Sequence, residues 1–159
     1  MFFKSSKKEM KKAEKKELIY RENIKVNCKP DTQENVIREV GKMLADTGYV
    51  GKGYIEAMLE RENTCSTYMG NGLALPHGVE AAKKEVLASG IAVMVFPGGT
   101  RWGEETAKVV IGIAGVGDEH LDILSIIAEK MLDEEAAAKL VSGDTDADTI
   151  YRILSGKEE

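Results

Sequence analysis

Cysteine is scarce in this chain: Cys28 and Cys65 are the only two. They build no disulfide framework, and both read as free thiols of a reducing cytoplasm. Long apolar runs are also missing. Nothing approaches the roughly 20 residues of a membrane span, so direct membrane insertion is not expected. The pattern HExxH, cysteine pairs at zinc spacing, GxxxxGK followed by Ser or Thr, and GxGxxG are all absent. That removes the sequence basis for a zinc hydrolase and for nucleotide binding at a glycine-rich loop. Histidine occurs only twice, at His77 and His120. A metal site would need a further carboxylate or Cys65 to complete it, so neither metal nor cofactor is expected.

The 159 residues suit one domain with a real core. Charge is distributed unevenly. Residues 1–17 hold seven lysines and three glutamates, and the remainder holds 15 basic and 24 acidic residues. The lysine-rich start has no apolar stretch, so it is not a secretory signal. It reads as a flexible, solvated extension of a body spanning 18–159. The acidic body argues against nucleic acid as a partner.

Within the body, helical and strand signals alternate. Ile24 and Val26 suggest a first strand. Asp31 with Glu34 forms a capping-box-like start to a helix carrying Val36, Ile37, Val40, Met43 and Leu44, with Gly48 at its C-terminal cap. A second helix is predicted over 52–62, burying Tyr54, Ile55, Met58 and Leu59, with Arg61 and Glu62 at its end. Residues 73–75 read as a short buried strand, and 86–96 as a longer one interrupted at Ser89 and Gly90. Pro97-Gly98-Gly99 signals a turn, with Arg101 and Trp102 starting the return. Residues 109–114 form the next buried strand. Asp118, Asp133 and Asp146 are placed to cap three further helices, of which the last two close at Gly143 and Gly156. The first of the three would bury Leu121, Leu124, Ile127, Ala128 and Met131. This interleaving predicts an α/β fold, a layered single domain, and the turn signal at 97–99 suggests an antiparallel pair within a mixed sheet.

The chemistry concentrates around His77. An apolar run leads into it, Pro76 stops the strand, and Gly78 opens the backbone on the other side. An imidazole presented there can serve as a neutral nucleophile. His120 sits in a helix first turn, where the macrodipole disfavours a cation. Arg61 offers a guanidinium fork suited to phosphate oxygens. Met43, Met58, Met94 and Met131 read as core, and Met69, Leu73 and Leu75 as buried support for His77.

Six short stretches resemble one family. They are Gly-Leu-Ala-Leu-Pro-His-Gly at 72–78, Met-Leu-Glu-Arg-Glu at 58–62, Thr-Tyr-Met-Gly at 67–70, Arg-Trp-Gly-Glu-Glu at 101–105, Val-Ile-Gly-Ile-Ala at 110–114 and Glu-His-Leu at 119–121. In this order and spacing the chain resembles the enzyme IIA domains of the bacterial phosphoenolpyruvate-dependent sugar phosphotransferase system, mannitol/fructose class, and most closely the mannitol type. The resemblance covers about residues 18–154. It implies a mixed sheet sandwiched between helices in three layers. It implies a cytoplasmic phosphocarrier in which His77 accepts phosphate at Nε2 from phospho-HPr. The phosphoryl group would then pass to a cysteine of the enzyme IIB domain of a sugar permease, with Arg61 and His120 surrounding His77. A fructose-type or a nitrogen-type regulatory enzyme IIA are the alternatives within the fold. Trp102 replaces the phenylalanine many relatives carry, and the lysine-rich start has no counterpart in the family pattern.

Overall fold

The computed structural model describes residues 16–142 and 145–156. Five strands form one mixed sheet in the order β1-β4-β5-β3-β2. The strands are β1 Ile24–Lys25, β2 Tyr68–Gly70, β3 Leu73–Ala74, β4 Gly90–Trp102 and β5 Glu105–Ala114. β1 runs parallel to β4, β4 antiparallel to β5, β5 parallel to β3, and β3 antiparallel to β2. The helices are α1 Gln33–Asp46, α2 Gly53–Thr64, α3 Glu119–Met131, α4 Glu134–Val141 and α5 Ala147–Ser155.

Side-chain alternation along the two long strands explains the layers. Ala92, Met94 and Phe96 face a core built from Val36, Val40 and Leu44 of α1 and Tyr54 and Met58 of α2. Ile91, Val93 and Val95 face the opposite way, onto Ile123 and Ile127 of α3, Leu140 of α4 and Ile150 and Leu154 of α5. The expected three-layer α/β fold is what forms.

Local expectations differ at several points. Residues 97–99 make no turn: β4 runs through them to Trp102, and its register against β5 slips between Val95 and Thr100. Pro97 donates no ladder bond and is exposed, so these residues form a bulge in the strand. The reversal comes at Gly103-Glu104, where Gly103 takes φ 66° and Trp102 pairs with Glu105. Arg101 and Trp102 therefore end the outgoing strand. Residues 86–89 precede β4, with Val86 bridged to Val50 and its amide donating to the Lys83 carbonyl at 3.0 Å.

Helix starts also shift. Thr32, not Asp31, caps α1 by accepting from the Asn35 amide at 3.1 Å. Asp31 instead accepts from the Thr32 amide and the Asn35 side chain, and Glu34 pairs with Arg38. In α2, Ala57 is buried, whereas Ile55 and Leu59 are only half-buried. Asp118 takes the N-cap position of α3, but its side chain makes no cap bond; its carboxylate pairs with Lys83 at 2.9 Å. Asp133 and Asp146 do cap α4 and α5, and Gly156 ends α5 at φ 77°. Gly143 lies outside the described residues. On α3 Leu121 and Ala128 are exposed, and Ile123 and Ile127 supply the buried stripe.

Residues 1–15 of the expected extension also lie outside the described residues. Lys16 and Glu17 already belong to the body: the Tyr49 hydroxyl donates to the Glu17 carbonyl at 2.5 Å. Lys16 Nζ sits 5.4 Å from the Tyr49 ring centroid. Cys28 and Cys65 are free thiols. Among the described residues no helix is long and apolar enough to cross a membrane.

Candidate active site

His77 is positioned by the sheet. β2 and β3 are joined by Asn71-Gly72, which take φ 54° and 83°, the two positive values of a tight primed hairpin turn. Asn-Gly is itself the sequence signal for that turn. β3 then runs beside β5, and the chain continues into a rung pairing His77 with Ile113. The Ile113 amide donates to the Pro76 carbonyl at 2.9 Å. The imidazole emerges where the ladder stops.

His77 Nδ1 lies 2.8 Å from the Leu75 carbonyl oxygen. A carbonyl only accepts, so Nδ1 carries the proton and the Nε2 lone pair is free. Burial lowers the His77 pKa; the Leu75 bond opposes that, the charges of Arg61 and His120 add to it, and Glu62 works against them. The result is a neutral imidazole with one fixed tautomer.

The structure brings the other two candidates to this imidazole. His120, in the first turn of α3, places its ring centroid 6.1 Å from that of His77 at a 30° tilt. Gly115 permits this approach, because a Cβ there would lie 2.1 Å from the His120 amide nitrogen. Arg61 lies in the last turn of α2. Its Nη1 donates to the Cys65 carbonyl at 2.6 Å, and its charge acts on His77. Leu73 and Leu75 are buried beneath the site as expected, but Met69 is 56% exposed and belongs to the outer surface.

Two residues of the site were not singled out from the sequence. Glu62 accepts four hydrogen bonds: from the Thr67 amide and hydroxyl, the Trp102 indole and the Gln33 amide side chain. Thr67 in turn accepts the Leu75 amide, so the carboxylate braces the strand that holds His77. Tyr54 lines the recess around His77 and His120 together with Gly78, Lys83 and Gly115. The signals available were an acid following Arg61, and a buried aromatic whose polar end needs a partner.

A free Nε2 with a second imidazole beside it and a guanidinium charge acting on it suits transfer of an anionic group to nitrogen. Residues 17–157 match the family model "Phosphoenolpyruvate-dependent sugar phosphotransferase system, EIIA 2". The mannitol-specific phosphotransferase enzyme IIA component of Bacillus subtilis (strain 168) is 49% identical over 135 residues, covering 84% of this chain and 94% of that protein. The Escherichia coli enzyme IIAMTL, solved in complex with phosphorylated enzyme IIBMTL, superposes with a TM-score of 0.80 at 36% identity, covering 87% of this chain and 98% of that one. The crystal structure of IIA mannitol from Escherichia coli gives 0.78 at 37% identity, covering 86% and 98%. The chain belongs to the EIIA 2 family of the phosphoenolpyruvate-dependent sugar phosphotransferase system.

Proposed function

We propose that this protein is a mannitol-type phosphocarrier. It takes a phosphoryl group from phospho-HPr onto Nε2 of His77 and delivers it to the enzyme IIB domain of a mannitol permease. The observation that carries this reading is the Nδ1 contact with Leu75, which leaves Nε2 as the nucleophile. The mannitol-specific relatives and the Escherichia coli relative solved with phosphorylated IIB support the direction of transfer.

The steps balance without cofactor or metal. The Nε2 lone pair of neutral His77 attacks phosphorus in line; the N–P bond to the donor histidine breaks, and its electron pair returns to that ring. Nδ1 keeps its proton, so phospho-His77 forms with no proton released by the ring. A cysteine thiolate of IIB then attacks phosphorus, and the pair of the Nε2–P bond returns to His77. Charge builds on the three equatorial oxygens in both steps. Arg61 stabilises it, and His120 orients the ring or the phosphoryl group. Both encounters are brief and take place in the cytoplasm, as fast phosphoryl flow requires.

The test is to incubate the protein with phosphoenolpyruvate, enzyme I and HPr. An acid-labile, alkali-stable phosphate is expected on the wild type and absent from His77→Ala. A wild type without label overturns the phosphocarrier reading, and label on His77→Ala overturns the site. Transfer onward to a mannitol IIB, and not to a fructose IIB, is expected to fix the sugar.

A further inference from the structure

The structure assigns a positioning role to Tyr54: its hydroxyl is wedged into the last rung of the sheet and sets the backbone on which the His77 imidazole stands. The role rests on the phosphocarrier reading, since its consequence is a transfer rate.

In a regular parallel pair the rung at His77 and Ile113 has two bonds: Ile113 N–H to the Pro76 carbonyl, and Gly78 N–H to the Ile113 carbonyl. The first is present at 2.9 Å. At the second, the Tyr54 hydroxyl stands between the partners. It accepts from the Gly78 amide at 2.8 Å and donates to the Ile113 carbonyl at 2.8 Å. A hydroxyl inserted in this way spreads one side of the rung while leaving both backbone groups satisfied. His77 lies between a direct bond on its N-terminal side and a bridged one on its C-terminal side.

Three further observations fit. Tyr54 is 4% exposed, and burial pushes its pKa up to about 12, so the phenol keeps the proton it donates. Gly78 has no room for a side chain, because a Cβ would lie 2.5 Å from the Tyr54 ring. Tyr54 and Arg61 share α2 seven residues apart, which puts both on one face of the helix. Any shift of α2 therefore moves the wedge and the guanidinium together.

Without the hydroxyl, the Gly78 amide and the Ile113 carbonyl either close onto each other or lose their partners. In both cases the backbone at His77 moves, and the bond from Nδ1 to Leu75 is no longer held.

The test is Tyr54→Phe, with Met58→Ala as a variant that opens a cavity on the same helix without touching the rung. In Tyr54→Phe the ring 15N shifts of His77 are expected to move toward a mixture of tautomers, and phosphoryl transfer to slow by about tenfold. Met58→Ala should lose stability with the His77 ring shifts unchanged. Wild-type ring shifts and transfer rate in a folded Tyr54→Phe would overturn the assignment. A second measurement needs no variant: in the wild type the Tyr54 hydroxyl proton should exchange slowly and show a nuclear Overhauser contact to the Gly78 amide. A freely exchanging hydroxyl without that contact overturns it as well. If the wild type takes no phosphate, the carrier reading falls while the ring shifts still decide whether Tyr54 sets the imidazole.

Discussion

The Nδ1 atom of His77 lies 2.8 Å from the carbonyl oxygen of Leu75, and this bond fixes the tautomer that leaves the Nε2 lone pair free. It also ties the reactivity of His77 to pH. Burial is the largest influence and lowers the pKa below 6.5. The folded chain therefore binds its proton later than the unfolded chain as pH falls. Stability associated with the neutral ring is complete above pH 6.5 and is lost as pH drops through the folded value. A 15N titration should place the His77 midpoint below 6.5, and transfer should persist in mildly acidic buffer where a free imidazole is already protonated. A midpoint at or above the ordinary value would contradict the burial argument.

Arg61 is tethered to the Cys65 carbonyl by one nitrogen, which leaves the rest of its fork for phosphoryl oxygens. Replacing it with alanine removes a preorganised donor from the transition state. Transfer is expected to slow by about 100-fold, with label still accumulating at long times. Arg61→Lys should recover part of the rate, because the charge returns without the planar fork. Single-turnover kinetics with phospho-HPr measure both; an unchanged rate in Arg61→Ala refutes the clamp.

The layered α/β class and the long buried strands were legible as local patterns, whereas the three layers and the grouping of Arg61 and His120 around His77 came from the resemblance to the family. Alternating Ile91, Val93 and Val95 mark one face wherever the strand is placed, and His77 is framed by its neighbours Pro76 and Gly78. The bulge at Pro97 was not legible. Pro-Gly-Gly reads as a turn in isolation, and only pairing with β5 on both sides keeps the chain extended through it. Tyr54 was read as core because its ring is buried. That its hydroxyl serves Gly78 and Ile113, 24 and 59 positions away, is a tertiary fact. Glu62 was hidden for the same reason, since its donors come from α1, the loop before β2, and β4.

Glu62 Oε2 accepts from the Thr67 amide, the Trp102 indole and the Gln33 side chain, and Oε1 accepts from the Thr67 hydroxyl. Glu62→Gln keeps an oxygen for the three N–H donors but removes the charge, and its NH2 forces the Thr67 hydroxyl to turn and accept. A loss of about 1–2 kcal/mol is expected from replacing charge-assisted hydrogen bonds with neutral ones. Trp102 is the sole tryptophan and is 1% exposed, so its emission reports the change directly. Urea unfolding followed at that fluorophore should show a lower midpoint and a shifted native emission maximum. A variant with both unchanged would mean that the carboxylate contributes no more than an amide.

Gly115 tests how closely α3 must approach the sheet. Here the obstacle to a side chain is backbone: a Cβ would sit 2.1 Å from the His120 amide nitrogen and 2.5 Å from its Cα. A flexible neighbour would rotate away, but the first turn of a helix can only retreat as a unit. Gly115→Ala is therefore expected to cost about 1–3 kcal/mol of stability by overpacking. It should also draw His120 away from His77, slowing transfer. Gly98→Ala is the matched control, since its Cβ would enter open space on the exposed bulge of β4. Thermal unfolding and single-turnover transfer on the two variants separate the outcomes. If Gly115→Ala matches Gly98→Ala in both, the contact between the end of β5 and the start of α3 does not set the spacing of the two histidines.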